Sequence, residues 1–298
     1  MRIYKYWASD KRKITCASTH GNAWSLKLTY EHVFSLKVGS DISQEDAERR
    51  LNLAFDEITA WEKKTDVTPD EIEEHRRRLR ELYNNGEKGE YARPICEEIL
   101  SELDSRNIVT RNRYGAEVLN SEDTCFIDID YLRMTCREQW LRLFGRLKTD
   151  EAVLTDRVDR LLALPENADL GIRLYRTSHG FRMIVFGHDL APGGRRTWDL
   201  FRYFSADELY CMLCVTQGCF RARLTPKPMN MKVKGILKCG RYPYADTAAL
   251  AAWVERYNAK SEQYAVCKLL FAKGRDTYSP IVVYHDRATK TESSLPLK

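Results

Sequence analysis

One six-residue stretch, Cys125-Phe126-Ile127-Asp128-Ile129-Asp130, constrains this chain more than any other. Apolar and acidic residues alternate in it with a period of two, the period of a β-strand. In an extended strand Asp128 and Asp130 share a face with Phe126, while Cys125, Ile127 and Ile129 pack behind. Two carboxylates within about 7 Å on one face repel each other unless a positive charge sits between them. A hard divalent cation, Mg²⁺ or Mn²⁺, held by carboxylate oxygens is one solution. The other reading is structural: one aspartate ends the strand and the other caps a helix opening near Tyr131.

A chain of 298 residues is long enough for one large domain or two small ones with a proper core. No apolar run approaches the roughly 18 residues that a membrane-spanning helix needs, so no membrane partner is expected. The opening Met-Arg-Ile-Tyr-Lys-Tyr-Trp lacks the apolar core of a signal peptide. The nine cysteines are odd in number and scattered, which fits reduced thiols and a cytoplasmic location better than a disulfide framework. Net charge is +5, with acidic residues crowded between Asp41 and Asp104 and basic ones between Arg173 and Arg241. A basic half beside a carboxylate pair points to a polyanionic partner, nucleic acid or nucleotide phosphates. The plainer reading is that the acidic residues cover solvated helices.

Along the chain, the periodicity predicts strands at Lys13–Cys16, Ala23–Leu28 and His32–Val38, with Gly21-Asn22 as a turn. A capped helix starts near Ser43, with Leu51, Phe55, Ile58 and Trp61 at helical spacing. A second opens at Thr68-Pro69-Asp70-Glu71, a capping box with proline at the first helical position. His75, on its inner stripe, reads as a packed histidine rather than a ligand. Further helices are expected at about Pro94–Leu103, Tyr131–Leu147 and Asp150–Leu164. Trp140, Leu143 and Phe144 are expected to be buried in the second of these.

Gly171–Phe186 reads as strand, tight turn, strand, with Gly180 supplying a positive φ. Its tip gathers Thr177, Ser178, His179 and Arg182, the small hydroxyls and cations that a triphosphate needs, or else merely the polar tip of a surface hairpin. A helix over Arg202–Phe220 is expected next. Arg221 and Arg223 then fall on one strand face, with Pro226 and Pro228 stiffening a basic track through Lys227 and Lys232. Such a track suits phosphate or is simply a solvated basic strand. A helix at Asp246–Tyr257 and strands at Tyr264–Phe271 and Pro280–Tyr284 complete the reading, with disorder from about Arg287. The fold class is α+β, a mixed and largely antiparallel sheet flanked by helices. Residues 1–120 read as a β-rich and helical module and 121–298 as a core with an αβ extension, separate or continuous.

Cys211, Cys214, Cys219 and Cys239 have the only zinc-like spacing. A structural zinc is not expected, because Cys211 and Cys214 lie mid-helix among apolar neighbours with no glycine-rich knuckle.

The order of these features, a strand with Asp128-x-Asp130, a small-residue hairpin turn with a basic residue, then Arg221-x-Arg223-x-x-Pro226-Lys227, resembles the archaeo-eukaryotic primase–polymerase superfamily, as a divergent member. The resemblance covers about Thr124–Lys232. It implies an RRM-like catalytic core in which Asp128 and Asp130 hold Mg²⁺ or Mn²⁺. Ser178 and Gly180 match the second motif in kind. Arg182 occupies the place of that motif's histidine, and His179 lies one residue before the glycine. The phosphate contact thus falls to Arg182, or to His179 from a shifted turn. A third acidic residue has no clear match; Asp189 and Asp207 are the candidates. The resemblance implies nucleotidyl transfer onto primers on single-stranded DNA or RNA, from NTPs or dNTPs. Ser178, Arg182, Arg221, Arg223 and Lys227 would bind nucleotide or template, and Asp128, Asp130 and His179 would be catalytic. A helicase or another replication protein fits as partner. The rivals are a metal-dependent nuclease and a non-catalytic nucleic-acid binder with a degenerate primase-like fold.

Overall fold

The computed structural model describes residues 1–17, 29–64, 68, 70–71, 73–75, 77–78, 94–236, 242–244 and 246–298. The predicted strand Ala23–Leu28, the Gly21-Asn22 turn and Cys239 lie outside the described residues. The chain divides into two units, Arg2–Cys96, and Glu97–Lys298 together with Met1.

In the first unit, strands β1 (Tyr6–Ala17) and β2 (Thr29–Ser40) form an antiparallel ribbon, with Tyr6 opposite Ser40 and Ile14 opposite His32. Helix α1 (Gln44–Glu62) starts where its sequence says it should: the Ser43 side chain accepts from the Asp46 backbone N–H at 3.1 Å. Its Leu51, Phe55 and Ile58 pack on Ile14, Leu36 and Val38 of the ribbon. The Thr68–Glu71 capping box forms in both directions. His75 stacks on Trp61 with ring centroids 4.1 Å apart and meets Glu57 at 3.0 Å, a packed histidine as expected.

The second unit is α+β, with two four-stranded antiparallel sheets. One has the order β3 (Glu98–Asp104), β4 (Asn107–Arg111), β5 (Glu117–Ser121), β9 (Phe220–Arg223). The other has the order β10 (Cys267–Gly274), β7 (Gly171–Thr177), β8 (Phe181–Phe186), β6 (Cys125–Ile129). Helices α2 (Cys136–Leu143), α3 (Asp150–Leu162), α4 (Arg195–Phe204), α5 (Glu208–Gln217), α6 (Thr247–Ser261) and α7 (Pro280–Thr289) complete it. The main core joins Phe126, Ile127, Ile129 and Val185 of the second sheet to Val153, Leu154 and Val158 of α3 and to Phe201 of α4. A buried ion pair crosses this region. Arg157 of α3 grips Glu138 of α2 bidentately, at 2.7 and 2.8 Å, and donates further to the Tyr203 and Arg133 carbonyls and to Ser205 Oγ.

Several local expectations give way to tertiary pairing. Glu98–Leu103, helical by composition, is strand β3, because Glu98 to Asp104 pair along β4 and Asn107 closes the turn on Asp104 at 3.0 Å. The helix after Asp130 starts only at Cys136, where Thr135 and Glu138 form a capping box. Its Trp140, Leu143 and Phe144 are exposed rather than buried, since the helix turns Glu138 and Leu141 inward. The span 202–220 is two helices, broken at Ser205 in the left-handed region (φ 60°) and restarted by Asp207 as N-cap. Pro280–Tyr284 is the start of a helix, not a strand: Ser279 caps it and Pro280 takes the first turn. The last residues are ordered, Thr291 being buried and the Lys298 N–H donating to the Ala265 carbonyl. Among the described residues no helix is long and apolar enough to cross a membrane.

Candidate functional site

Strand β6 carries Asp128 directly opposite Arg182 of β8, and Arg182 in turn opposite Tyr175 of β7. Directly paired residues project to the same face of a sheet, so carboxylate, guanidinium and phenol stand in a row across three strands. Asp130 follows two residues later on the same side, just past the strand end. Cys125, Ile127 and Ile129 are buried on the opposite face, the division the alternation predicts.

The β7–β8 turn is pressed onto the end of β6. A Cβ on Gly180 would stand 2.1 Å from the Ile129 carbonyl oxygen, so glycine is required there by close approach rather than by a positive φ. The Gly180 N–H donates to Thr177 Oγ1 at 3.0 Å, and Ser178 Oγ lies 2.8 Å from His179 Nδ1. These contacts set Ser178 and His179 beside the carboxylates. From the other sheet, β9 delivers Arg223 and then Thr225, Pro226 and Lys227. The Tyr257 hydroxyl holds this segment, 2.7 Å from both Thr225 Oγ1 and the Pro226 carbonyl.

Together these elements enclose a cavity of about 260 Å³. Asp128, Asp130, Ser178, His179, Arg182, Arg223 and Lys227 all line it. So do Thr177, Thr225, Pro226, Asn230, Val266 and Lys298, which sequence reasoning did not single out as ligand-binding, save Thr177. Arg221 does not line it. That guanidinium meets Glu97 at 2.5 Å and Gln217 at 3.2 Å, tying β9 to the start of β3. Of the two candidates for a third carboxylate, Asp189 lies past the far end of β8, about 17 Å of strand away from the turn. Asp207 is closer: its backbone N–H donates to the Asp128 carbonyl at 2.9 Å, but its side chain caps α5 and does not line the cavity.

The electrostatics follow from this crowding. Burial pushes the Asp128 carboxyl above its ordinary value, and the charges of Asp130 and Asp207 add to the push against Arg182 and Arg223. Arg223 is lowered, by burial first and by the neighbouring Arg182 second. Among the described residues no hydrogen bond reaches either carboxylate of Asp128 or Asp130. Two carboxylates without hydrogen-bond donors, at the wall of an open cavity, form a donor set that fits a hard divalent cation.

Behind the cavity runs a buried chain of polar groups. Arg182 donates from Nη1 to the Arg223 carbonyl at 2.8 Å and to His285 Nε2 at 3.2 Å. His285 Nδ1 meets Asp286 Oδ1 at 2.9 Å, and that carboxylate also accepts from Tyr175 at 2.8 Å and Arg173 at 2.6 Å. The signal for this arrangement was the Ser279-Pro280 cap, which turns the His285-Asp286 pair from a strand end into the middle of a helix laid on the sheet.

The cysteine cluster has a different character. Burial pushes the Cys211 thiol up to about 11 and those of Cys214 and Cys219 up to about 12, so all three are protonated near neutrality.

Compared with known proteins, the chain matches no family model, no curated protein and no solved structure.

Proposed function

We propose that this protein is a metal-dependent nucleotidyltransferase of the primase–polymerase kind, extending or starting primers on single-stranded nucleic acid. One observation carries the reading: three stretches far apart in sequence, Asp128–Asp130, Ser178–Arg182 and Arg223–Lys227, line one cavity. Carboxylates beside small hydroxyls and cations suit a nucleoside triphosphate and its counter-ion.

In this reading Asp128 and Asp130 hold Mg²⁺ or Mn²⁺. A bound ion supplies activation of a 3′-hydroxyl and neutralisation of phosphate charge. Ser178, His179 and the turn backbone hold the triphosphate tail. Arg182 and Lys227 neutralise its oxygens, and Arg223 steadies the carboxylates. Arg221 supports β9 through Glu97 rather than touching nucleotide. We read the core as RRM-like, a reading supported by one four-stranded antiparallel sheet of order β10-β7-β8-β6. The working location would be cytoplasmic, with a replication protein as a fitting partner.

A second reading, a nucleic-acid binder without catalysis, is favoured by one observation: neither Asp189 nor Asp207 lines the cavity beside the carboxylate pair. The experiment is incorporation of labelled nucleotides on single-stranded DNA with Mn²⁺, with and without primer, beside the Asp128→Asn/Asp130→Asn variant. Incorporation by the wild type that the variant loses supports transfer. Intact DNA binding without incorporation selects the binder, and template breakdown selects a nuclease.

A further inference from the structure

A second cavity, of about 880 Å³, lies between residues 231–235 and helix α6. Its charged lining consists of Lys232, Lys234, Arg256 and Lys260, with no carboxylate among the lining residues. Arg256 and Lys260 are one helical turn apart and share a stripe of α6 with Ala249, Ala252 and Trp253. That stripe therefore offers an apolar floor and a cationic rim. Lys232, Lys234 and Arg256 are exposed. Lys260 reaches Gln263 at 3.2 Å, and no ion pair neutralises any of the four among the described residues.

The wall of this groove is built in advance. Met231 and Ile236 are buried against Trp253 and Tyr257. Trp253 Nε1 donates to the Lys234 carbonyl at 2.7 Å, and the Val233 N–H donates to the Pro228 carbonyl at 3.0 Å. The same short segment runs directly into the first cavity, where Lys227 and Asn230 form part of the lining. The segment from Lys227 to Lys234 thus carries cations into the linings of both cavities, and Arg256 and Lys260 join it in the second.

We infer that this groove holds the phosphodiester backbone of a single nucleic-acid strand and leads it to the cavity at Asp128. The inference rests on the proposed nucleotidyl transfer for its choice of partner. The groove's own chemistry supports that choice: its charged lining is cationic throughout, with no carboxylate among the lining residues, and the apolar floor accepts sugar or base faces. It differs from the triphosphate site in being larger and free of carboxylates.

The test is fluorescence anisotropy of a labelled single-stranded oligonucleotide with the full chain in EDTA, over a series of salt concentrations. Arg256→Ser/Lys260→Ser and Lys232→Ser/Lys234→Ser are each compared with the wild type, and circular dichroism confirms that each variant folds. Each pair should weaken binding roughly tenfold at moderate salt and reduce the slope of log K against log salt by about 1.4, at about 0.7 per lost phosphate contact. Unchanged affinity and slope in both double variants would overturn the groove, whatever the outcome of incorporation assays. Binding that a free nucleoside triphosphate displaces fully would overturn it as well. Weakened binding in a chain that incorporates no nucleotide keeps the groove and overturns only the catalytic reading.

Discussion

Arg182 donates to His285 Nε2 at 3.2 Å in a place where both side chains are buried, 4% and 0% exposed. A guanidinium only donates, so Nε2 must carry a lone pair, and the imidazole proton belongs on Nδ1, facing Asp286 at 2.9 Å. The histidine is neutral, and its orientation holds Arg182 toward the cavity. Burial lowers its pKa to about 4, with the Arg182 charge adding to burial and Asp286 opposing.

This gives a stability prediction with a defined sign. A folded-state value near 4 against an ordinary 6.5 means that the neutral form is favoured by folding. The contribution is therefore complete above about pH 6.5 and is lost as pH falls toward 4. The wild type's advantage over His285→Gln in urea unfolding should shrink by about 3 kcal/mol between pH 7 and pH 4. An advantage that stays constant over that range would show that His285 is not held neutral.

Asp128 has the opposite consequence. Its raised pKa means that the ionised carboxylate opposes folding, and the opposition is complete above the raised value. Asp128→Asn should raise Tm at pH 7 while lowering any metal-dependent activity, the trade expected of a site residue. In the same thermal scans, Mn²⁺ at ten times its Kd should stabilise the wild type by about 1.4 kcal/mol. Asp128→Asn/Asp130→Asn should not respond; an equal response would remove both residues from the metal site.

Gly180 seats the β7–β8 turn against β6. In Gly180→Ala the methyl group meets the Ile129 carbonyl, which belongs to backbone and cannot step aside. Stability should fall by about 2 kcal/mol, with nucleotide affinity falling along with it. Chemical denaturation and nucleotide titration of the same sample check both. An unperturbed Tm would mean that the turn does not sit against β6.

Glu138 and Arg157 form the pair whose breakage should be felt most. Burial pushes the Glu138 carboxyl up, but the hydrogen bond from Arg157 prevails and holds it down at about 2. Glu138→Ala strands a guanidinium that is 3% exposed and should cost about 3–5 kcal/mol of stability. The double replacement Glu138→Leu/Arg157→Met removes both charges together and should recover much of that loss in the same unfolding assay.

Much of the local structure was legible because it rests on neighbours in sequence. The alternation over 125–130 set which side chains face inward, and the serine cap marked the helix start at Ser43, while apolar stripes gave the helices that the structure shows capped by Thr149 and Asp246. The hairpin over 171–186 followed from two apolar runs around a short polar turn. The limits show in particular residues. Glu98–Leu103 has a helical composition yet pairs as β3, and Trp140 and Phe144 are apolar yet exposed. Their fates depend on which surfaces other segments cover.

By itself, then, the order of residues determined the acidic strand, the hairpin tip and the basic track, since period and turn chemistry act within a few residues. Only the tertiary structure decided which of them meet. Arg221 and Arg223 are chemically identical and share one strand face, two residues apart. Glu97, more than a hundred residues earlier in the chain, draws Arg221 into an ion pair, while Arg223 remains at the cavity. His285 came to stand behind Arg182 because helix α7 packs on the sheet, a contact between residues 103 apart in sequence. Charge partners at that separation are chosen by packing, and no local pattern encodes them.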